Sequence, residues 1–318
     1  MAGQRKILII AAFAALYVIW GSTYLGILFA IQSIPPFLMA GSRFLIAGLI
    51  MFAIARTQGP LRSTAAEWRT SLIVGACLLL GGNGGVTLSE KFIESGLASL
   101  IVATVPIYIT LLGWLFGMTP RPAPIVWLGL AGGFLGVGIL LGPALRFSSG
   151  SGSHPAIGML ILLVGSFLWS AGSLYSRTAK HSASPFFAAA QQMFCGGVLL
   201  MLVGLFIGEP KHFHAGNITT LSLGAFTYLV LIGAIVGYTA YFWLLRQCDP
   251  AKVATYAYVN PIVAVLLGTL FAQETVTLRT LLAAALIIGS VALIITVQQL
   301  RPKALSPITA AIETGCAR

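Results

Sequence analysis

The residues of this chain equipped to engage another molecule are aromatic and polar side chains set at helical spacing inside apolar runs. Trp20, Thr23, Tyr24 and Ile27 follow the i, i+3, i+4, i+7 pattern of one helix face. Gly75, Leu79, Gly82, Asn83, Val86 and Glu90 form a second stripe, small and polar, and Trp169, Gly172, Ser173 and Ser176 form a third. Further apolar runs carry Tyr108, Tyr238, Tyr241, Tyr256, Tyr258 and Asn260. Together such side chains can hold an organic solute by stacking and a few hydrogen bonds. Helix–helix packing draws on the same Ser, Gly and Asn, and for a single Ser or Gly packing is the preferred reading. Trp20 and Trp169 stand apart, because Trp favours membrane interfaces and these two fall near the middles of their runs. Both cavity lining and packing are open to them. Arg43 is the one basic residue inside a run, and Gln192 occupies its equivalent place later in the chain. It has three uses open to it: snorkelling to headgroups, pairing with a carbonyl, or attracting a substrate carboxylate. Substrate-binding candidates are thus Trp20, Thr23, Tyr24 and Arg43, then Asn83 and Tyr108, then Trp169, Ser173 and Gln192, and finally Tyr238, Tyr241, Tyr256 and Asn260.

Catalysis fits poorly. The chain has no HExxH, no GxSxG and no pair of acidic residues within an apolar run. His154, His181, His212 and His214 all fall in loops, and the pair flanking Phe213 has no third ligand. Cys77, Cys195, Cys248 and Cys316 are scattered without a CxxC, so neither a disulfide framework nor a metal site is indicated. Gly81-Gly82-Asn83-Gly84-Gly85 looks like a phosphate loop but lacks a following Lys-Ser/Thr, and close backbone packing explains it better. Glu67, Glu90, Glu94, Glu209, Asp249, Glu274 and Glu313 map to loops or run ends. Glu90 comes nearest to the interior and is read as an interface carboxylate beside Lys91. With no carboxylate expected at mid-depth, a proton relay is disfavoured, leaving facilitated diffusion or exchange. No enzyme activity, cofactor or metal is expected.

Composition names the solvent around these stripes. Of 318 residues 58% are hydrophobic and 8% charged, with mean hydropathy +0.96, whereas soluble domains carry roughly 25% charged residues. Ten runs are long enough to span a bilayer, at about 7–30, 36–55, 70–89, 96–116, 122–141, 156–177, 184–207, 220–245, 252–272 and 279–298. The net charge of +11 is a topology signal. Thirteen of the 18 basic residues fall on the N-terminal side of the membrane and four on the other, with Arg43 within a run. The positive-inside rule then makes both termini cytoplasmic, and nucleic acid is excluded as a partner. The first run follows Arg5 and Lys6 as a signal peptide would, but without a small-residue cleavage site it reads as a retained helix.

The runs are duplicated. Trp20-Gly21-Ser22-Thr23-Tyr24 is echoed 149 positions later by Trp169-Ser170-Ala171-Gly172-Ser173, and Pro36-Phe37 by Pro185-Phe186. Pro106-Ile107 recurs 155 positions on as Pro261-Ile262, with Gly113 matching Gly268 and Phe116 matching Phe271. Each copy holds five runs, and an odd number turns the second copy upside down in the bilayer. The expected fold class is an all-α polytopic membrane protein, ten transmembrane helices in two inverted five-helix repeats at 7–142 and 156–298, with a cytoplasmic tail at 299–318. Pro106 and Pro261, near the centres of the fourth and ninth runs, are expected to kink them as hinges or fixed bends. The fifth run, with Gly129, Gly133 and Gly136, and the tenth, a plain Leu-Ala-Ile run, have no polar cluster and are expected at the periphery.

Three stretches carry a family resemblance: Ile19-Trp20-Gly21-Ser22-Thr23-Tyr24, Pro35-Pro36-Phe37 leading to Arg43-Phe44, and Gly96-Leu97-Ala98-Ser99 leading to Pro106. From about residue 7 to 298 the chain resembles the EamA-type members of the drug/metabolite transporter superfamily. The resemblance implies ten helices in inverted repeats, a central cavity and export of small metabolites across a bacterial inner membrane. Some members export aromatic and other neutral amino acids, a class that mid-depth Trp and Tyr suit. The second copy departs from the first at Gln192 and Ser170, which argues against a strictly symmetric site. The expected activity is export of amino acids or similar small metabolites by alternating access, with the lipid bilayer as the other partner. A multidrug or nucleotide-linked transporter is the rival on the same fold, although an anionic nucleotide needs more buried basic residues than Arg43. A membrane scaffold or sensor is more distant, since it calls for a soluble signalling region.

Overall fold

An apolar chain in lipid satisfies its backbone polar groups only by bonding within helices or closed barrels. The computed structural model describes residues 2–146, 154–182, 184–248, 253 and 255–300, and among them it contains helices and no strand. In chain order α1 is Ala2–Ala30, α2 Pro36–Thr57, α3 Ala65–Ser89, α4 Ser95–Leu115 and α5 Pro124–Arg146. Then come α6 at Pro155–Thr178, α7 at Pro185–Phe206, α8 as Thr220–Tyr228, Leu229–Val236 and Gly237–Gln247, α9 at Tyr256–Phe271 and α10 at Leu278–Leu300. Among the described residues nine of these are long and apolar enough to cross a membrane, and α9 is shorter at 16 residues. Pro36, Pro155 and Pro185 stand in first turns, where the missing N–H costs nothing. Asp249, Lys252, Glu313, Cys316 and the tail beyond residue 300 lie outside the described residues.

Hydrogen bonds across the molecule define its two ends. At one end Glu209 accepts from the backbone N–H groups of Phe37 and Leu38, and the Thr219 N–H donates to the Ser33 hydroxyl. Glu274 and Glu94 tie the α9–α10 connection to the start of α4 at the same end. At the other end Arg5 donates to Gln247, Tyr17 bonds Thr255, and Gln191 donates to Ser63 while accepting from Ser182. α1 starts at the Arg5 end, whereas Gly158 near the start of α6 lies against Phe92 and Ser89 at the opposite end. The second five helices therefore run inverted to the first.

Packing repeats this relation. α1 lies against α8 and α9 of the second half, as α6 lies against α3 and α4 of the first. α2 meets α7 and α8 as α7 meets α2 and α3, while α5 pairs with α10. In lipid such contacts depend on close approach between small residues. A methyl group on Gly41 would stand 2.8 Å from the backbone nitrogen of Met201, and one on Gly197 2.8 Å from that of Leu45, so α2 and α7 meet backbone to backbone.

Two local features were not expected. α3 and α8, the third helix of each half, both carry π-helical stretches, at Gly75–Asn83 and Leu229–Val236. Wider turns of this kind reset which residues face a neighbour and recur at functional sites. The matched prolines, moreover, do not sit alike at helix centres. α4 breaks after Val102, and Pro106 lies in the first turn of its second piece, Val105–Leu115. The Ser170 hydroxyl on α6 reaches the Val105 carbonyl at 3.2 Å beside the break. Pro261, by contrast, is inside α9, in its second turn, because that helix starts at Tyr256.

Candidate functional site

Four of the anticipated side chains meet in one aromatic nest. Trp20 comes from α1, Tyr238 and Tyr241 from one face of α8, and Tyr256 from the first turn of α9. The Trp20 ring lies 5.5 Å from Tyr238, 5.3 Å from Tyr241 and 4.9 Å from Tyr256, the last at 89°. Tyr241 and Tyr256 close the group at 6.1 Å and 85°. Edge-to-face contacts in this range place positive ring edges on negative faces. Behind the nest stand Leu16, Leu244 and Val253, all fully buried. The π stretch of α8 ends at Val236, and a methyl group on the next residue, Gly237, would stand 2.5 Å from the Trp20 indole nitrogen. Gly237 thus lets the indole lie against the α8 backbone.

The other half repeats the framework without the nest. Trp169 of α6 packs over Gly82 in the π stretch of α3, as Trp20 packs on α8. Among the described residues no aromatic ring stacks on it, so the site is one-sided.

Arg43 borders the nest. It is 4% exposed, which rules out snorkelling to the headgroups. Its guanidinium lies 4.8 Å from the centre of the Phe44 ring, Nε has no hydrogen-bond partner, and Tyr238 and Tyr228 stand within electrostatic reach. A methyl group on Gly233, in the π stretch of α8, would come 3.4 Å from Nη2 and 3.1 Å from Thr23 Cγ2. The guanidinium therefore rests against α8 where the backbone is bare.

Glu90 is not the interface carboxylate expected beside Lys91. Lys91 is exposed, whereas Glu90, one residue beyond α3, is 5% exposed, with both carboxylate oxygens buried and without a hydrogen-bond partner. Its nearby charged and titratable groups include Glu274, Arg43 and Tyr24. Burial, then the charge of Glu274, pushes this carboxyl above the ordinary carboxylate range, and Arg43 opposes them. The signal lay in the Gly82, Asn83, Val86, Glu90 stripe, whose spacing puts Glu90 on the inward face of α3. Tyr228 was also missed; its hydroxyl meets that of Ser22 at 2.5 Å.

The remaining candidates disperse. Thr23 and Ser173 donate to carbonyls of their own helices, of Trp20 and Trp169, both at 2.7 Å. Asn260, in the amide orientation that suits its neighbours, donates to the Tyr256 and Tyr17 carbonyls at 3.2 Å and so joins α9 to α1. Tyr108 packs at 6.0 Å from Phe134 and 6.1 Å from Phe167, rings that are 41% and 43% exposed, and lies toward the periphery. Asn83 ends the α3 π stretch, half-buried, and Gln192 lies on α7 where its own carbonyl approaches Gly75. Among the described residues no group of three or more His, Cys, Asp or Glu is placed to hold a metal ion.

A recess of about 630 Å³ opens at the Glu94–Thr275 end, with Leu28, Glu90, Glu94, Glu274 and Arg279 in its wall. Leu28 continues the α1 face of Trp20 and Tyr24 by one more turn, so the recess adjoins the interior polar group.

Apolar spanning helices, inverted halves and a buried aromatic and charged centre are the parts of a membrane carrier. The EamA-like transporter family model matches the chain twice, over residues 6–142 and 156–296. The chain belongs to the EamA-like transporter family. It is 37% identical over 284 residues to the "Uncharacterized inner membrane transporter YedA" of Escherichia coli K12, spanning 89% of each chain. Another relative, the "Probable amino-acid metabolite efflux pump" of the same organism, is 27% identical over 282 residues, covering 85% of this chain and 89% of that one. A solved crystal structure shares the fold at TM-score 0.61 and 21% identity, over 90% of this chain and 97% of that one. This EamA-like transporter is a multi-pass membrane protein.

Proposed function

We propose that this transporter exports aromatic and other neutral amino acids across a bacterial inner membrane by alternating access, with both termini in the cytoplasm. The observation that carries this reading is the nest of Trp20, Tyr238, Tyr241 and Tyr256 beside the buried Arg43. An apolar or aromatic side chain has rings to stack on, and a carboxylate has a guanidinium within the same interior. The printed name of the amino-acid metabolite efflux pump points the same way. Orientation is supported by thirteen of 18 basic residues falling on the side of the N-terminus. The repeats 7–142 and 156–298 would rock against one another with 299–318 as a cytoplasmic tail. The α4 break before Pro106 and the α9 turn holding Pro261 would serve as hinges, since α4 and α9 pack together.

Counterflow in proteoliposomes tests the activity. Vesicles loaded with unlabelled L-phenylalanine should draw in the labelled amino acid, and those loaded with a cationic dye or a nucleotide sugar should not. Counterflow with the dye or nucleotide sugar alone would move the assignment to the multidrug or nucleotide-linked reading.

A further inference from the structure

Arg43 and Glu90 are a basic and an acidic side chain, 4% and 5% exposed, within electrostatic reach of each other. Among the described residues they form no ion pair, and Arg43 Nε and both Glu90 oxygens lack hydrogen-bond partners. A buried charge without a partner is strongly unfavourable, and a pair kept for stability alone would close on itself. Each charge also reaches the aromatic nest by its own tyrosine. Arg43 is within electrostatic reach of Tyr238, which packs on Trp20, and Glu90 is within reach of Tyr24, which is itself in reach of Tyr256.

We propose that Arg43 and Glu90 are the two jaws of a clamp for a zwitterion, the guanidinium taking the α-carboxylate and Glu90 the α-ammonium of one amino acid whose side chain lies in the Trp20 nest. The clamp presupposes the amino-acid substrate proposed above and deepens it, because it names the group that meets each end of the ligand. An ammonium supplies the counter-charge that Glu90 lacks, so the carboxylate form is favoured when ligand is bound. The carboxylate likewise completes Arg43, whose planar fork suits such an oxygen pair. Helix packing supports the assignment: bare backbone at Gly233 seats the guanidinium, and the α3 stripe turns Glu90 inward. Glu90 further lines the recess of about 630 Å³ at the Glu94–Thr275 end.

A site with two buried jaws rejects ligands that lack either charge, because the unmatched jaw is left unpaired. The test is competition against labelled L-phenylalanine counterflow by L-phenylalanine, by 3-phenylpropanoate, which lacks the ammonium, and by phenethylamine, which lacks the carboxylate. In wild type each analogue should compete about tenfold to a hundredfold more weakly than phenylalanine, as for loss of one hydrogen bond to a charged group. Glu90→Gln should erase most of the discrimination against 3-phenylpropanoate and keep that against phenethylamine. Arg43→Gln should do the reverse. Size-exclusion profiles and Tm report folding; if Arg43→Gln does not fold, the two analogues on Glu90→Gln still decide the case. Unchanged discrimination in Glu90→Gln, or an equal loss against both analogues, overturns the clamp while leaving amino-acid transport standing. Failure of wild type to move any amino acid overturns the clamp and the proposed function together.

Discussion

Replacing Gly237 by Ala tests whether the fit of Trp20 on α8 shapes the site. The added methyl would stand 2.5 Å from the indole nitrogen and 3.0 Å from Cδ1. Ordinary contact distances are about 3.5 Å, so the ring must retreat by roughly 1 Å. It cannot do so freely, because Tyr238, Tyr241 and Tyr256 hold it at 5.5, 5.3 and 4.9 Å. Overpacking of this kind costs about 1–3 kcal/mol, offset by up to about 1 kcal/mol from the better helix propensity of Ala. A net loss of about 1–2 kcal/mol corresponds to a factor of about 5–30 in the folded-to-unfolded ratio. Gly224 on the same helix is the control, since a methyl there meets nothing within 4 Å. The half-saturating concentration of L-phenylalanine in counterflow, with Tm in detergent, gives the readout. Gly237→Ala should lower the second by the equivalent of about 1–2 kcal/mol and raise the first by no more than the several-fold expected for losing the Trp20 stack outright, while Gly224→Ala leaves transport unchanged and holds or raises Tm. If the two variants behave alike, the packing of Trp20 on Gly237 does not shape the site.

Glu274→Gln should lower Tm by the equivalent of about 1–2 kcal/mol, because its carboxylate accepts from Ser95 N at 2.7 Å and Gly96 N at 2.9 Å at the start of α4; an unchanged melt would deny that this cap matters. Gly197→Val should impair folding more than Gly138→Val, since a side chain at Gly197 meets the Leu45 backbone nitrogen at 2.8 Å and one at Gly138 meets nothing within 4 Å. Equal yields of the two in size-exclusion chromatography would contradict the α2–α7 contact. In a cysteine-less background, a cysteine at exposed Gln32 should react with an impermeant thiol reagent outside intact cells and one at exposed Arg62 should not; the opposite pattern inverts the topology.

The architecture was legible because lipid leaves few choices. Membrane-length apolar runs become helices, and the matched Trp20/Trp169 and Pro106/Pro261 pairs expose a duplication that an odd helix count inverts. Local backbone departures were not legible. Nothing in Gly75–Asn83 or Leu229–Val236 separates a π turn from an α turn by composition, since the distinction is a hydrogen-bond register set by packing. Pro106 and Pro261 look alike in sequence yet occupy different places, because α4 breaks at Ala103–Thr104 and α9 does not. Within the candidate site, the aromatic positions of α1 and α8 converge as helical spacing suggests. Tyr108 and Asn260 share the same residue types and face other neighbours, which spacing within one helix does not reveal. The place of Glu90 at a helix end suggests an interface carboxylate, whereas its burial is set by tertiary packing that one helix does not reveal.

Binding of L-phenylalanine to the purified transporter, measured by titration calorimetry in wild type and in Trp20→Ala, tests the central claim most directly. The nest on α1, α8 and α9 predicts saturable binding by wild type. It predicts an affinity several-fold weaker in a Trp20→Ala variant of unchanged size-exclusion profile, as for loss of stacking worth about 0.5–1.5 kcal/mol beyond burial. Equal affinity in the two proteins, or no binding by wild type, would contradict a substrate site built on Trp20.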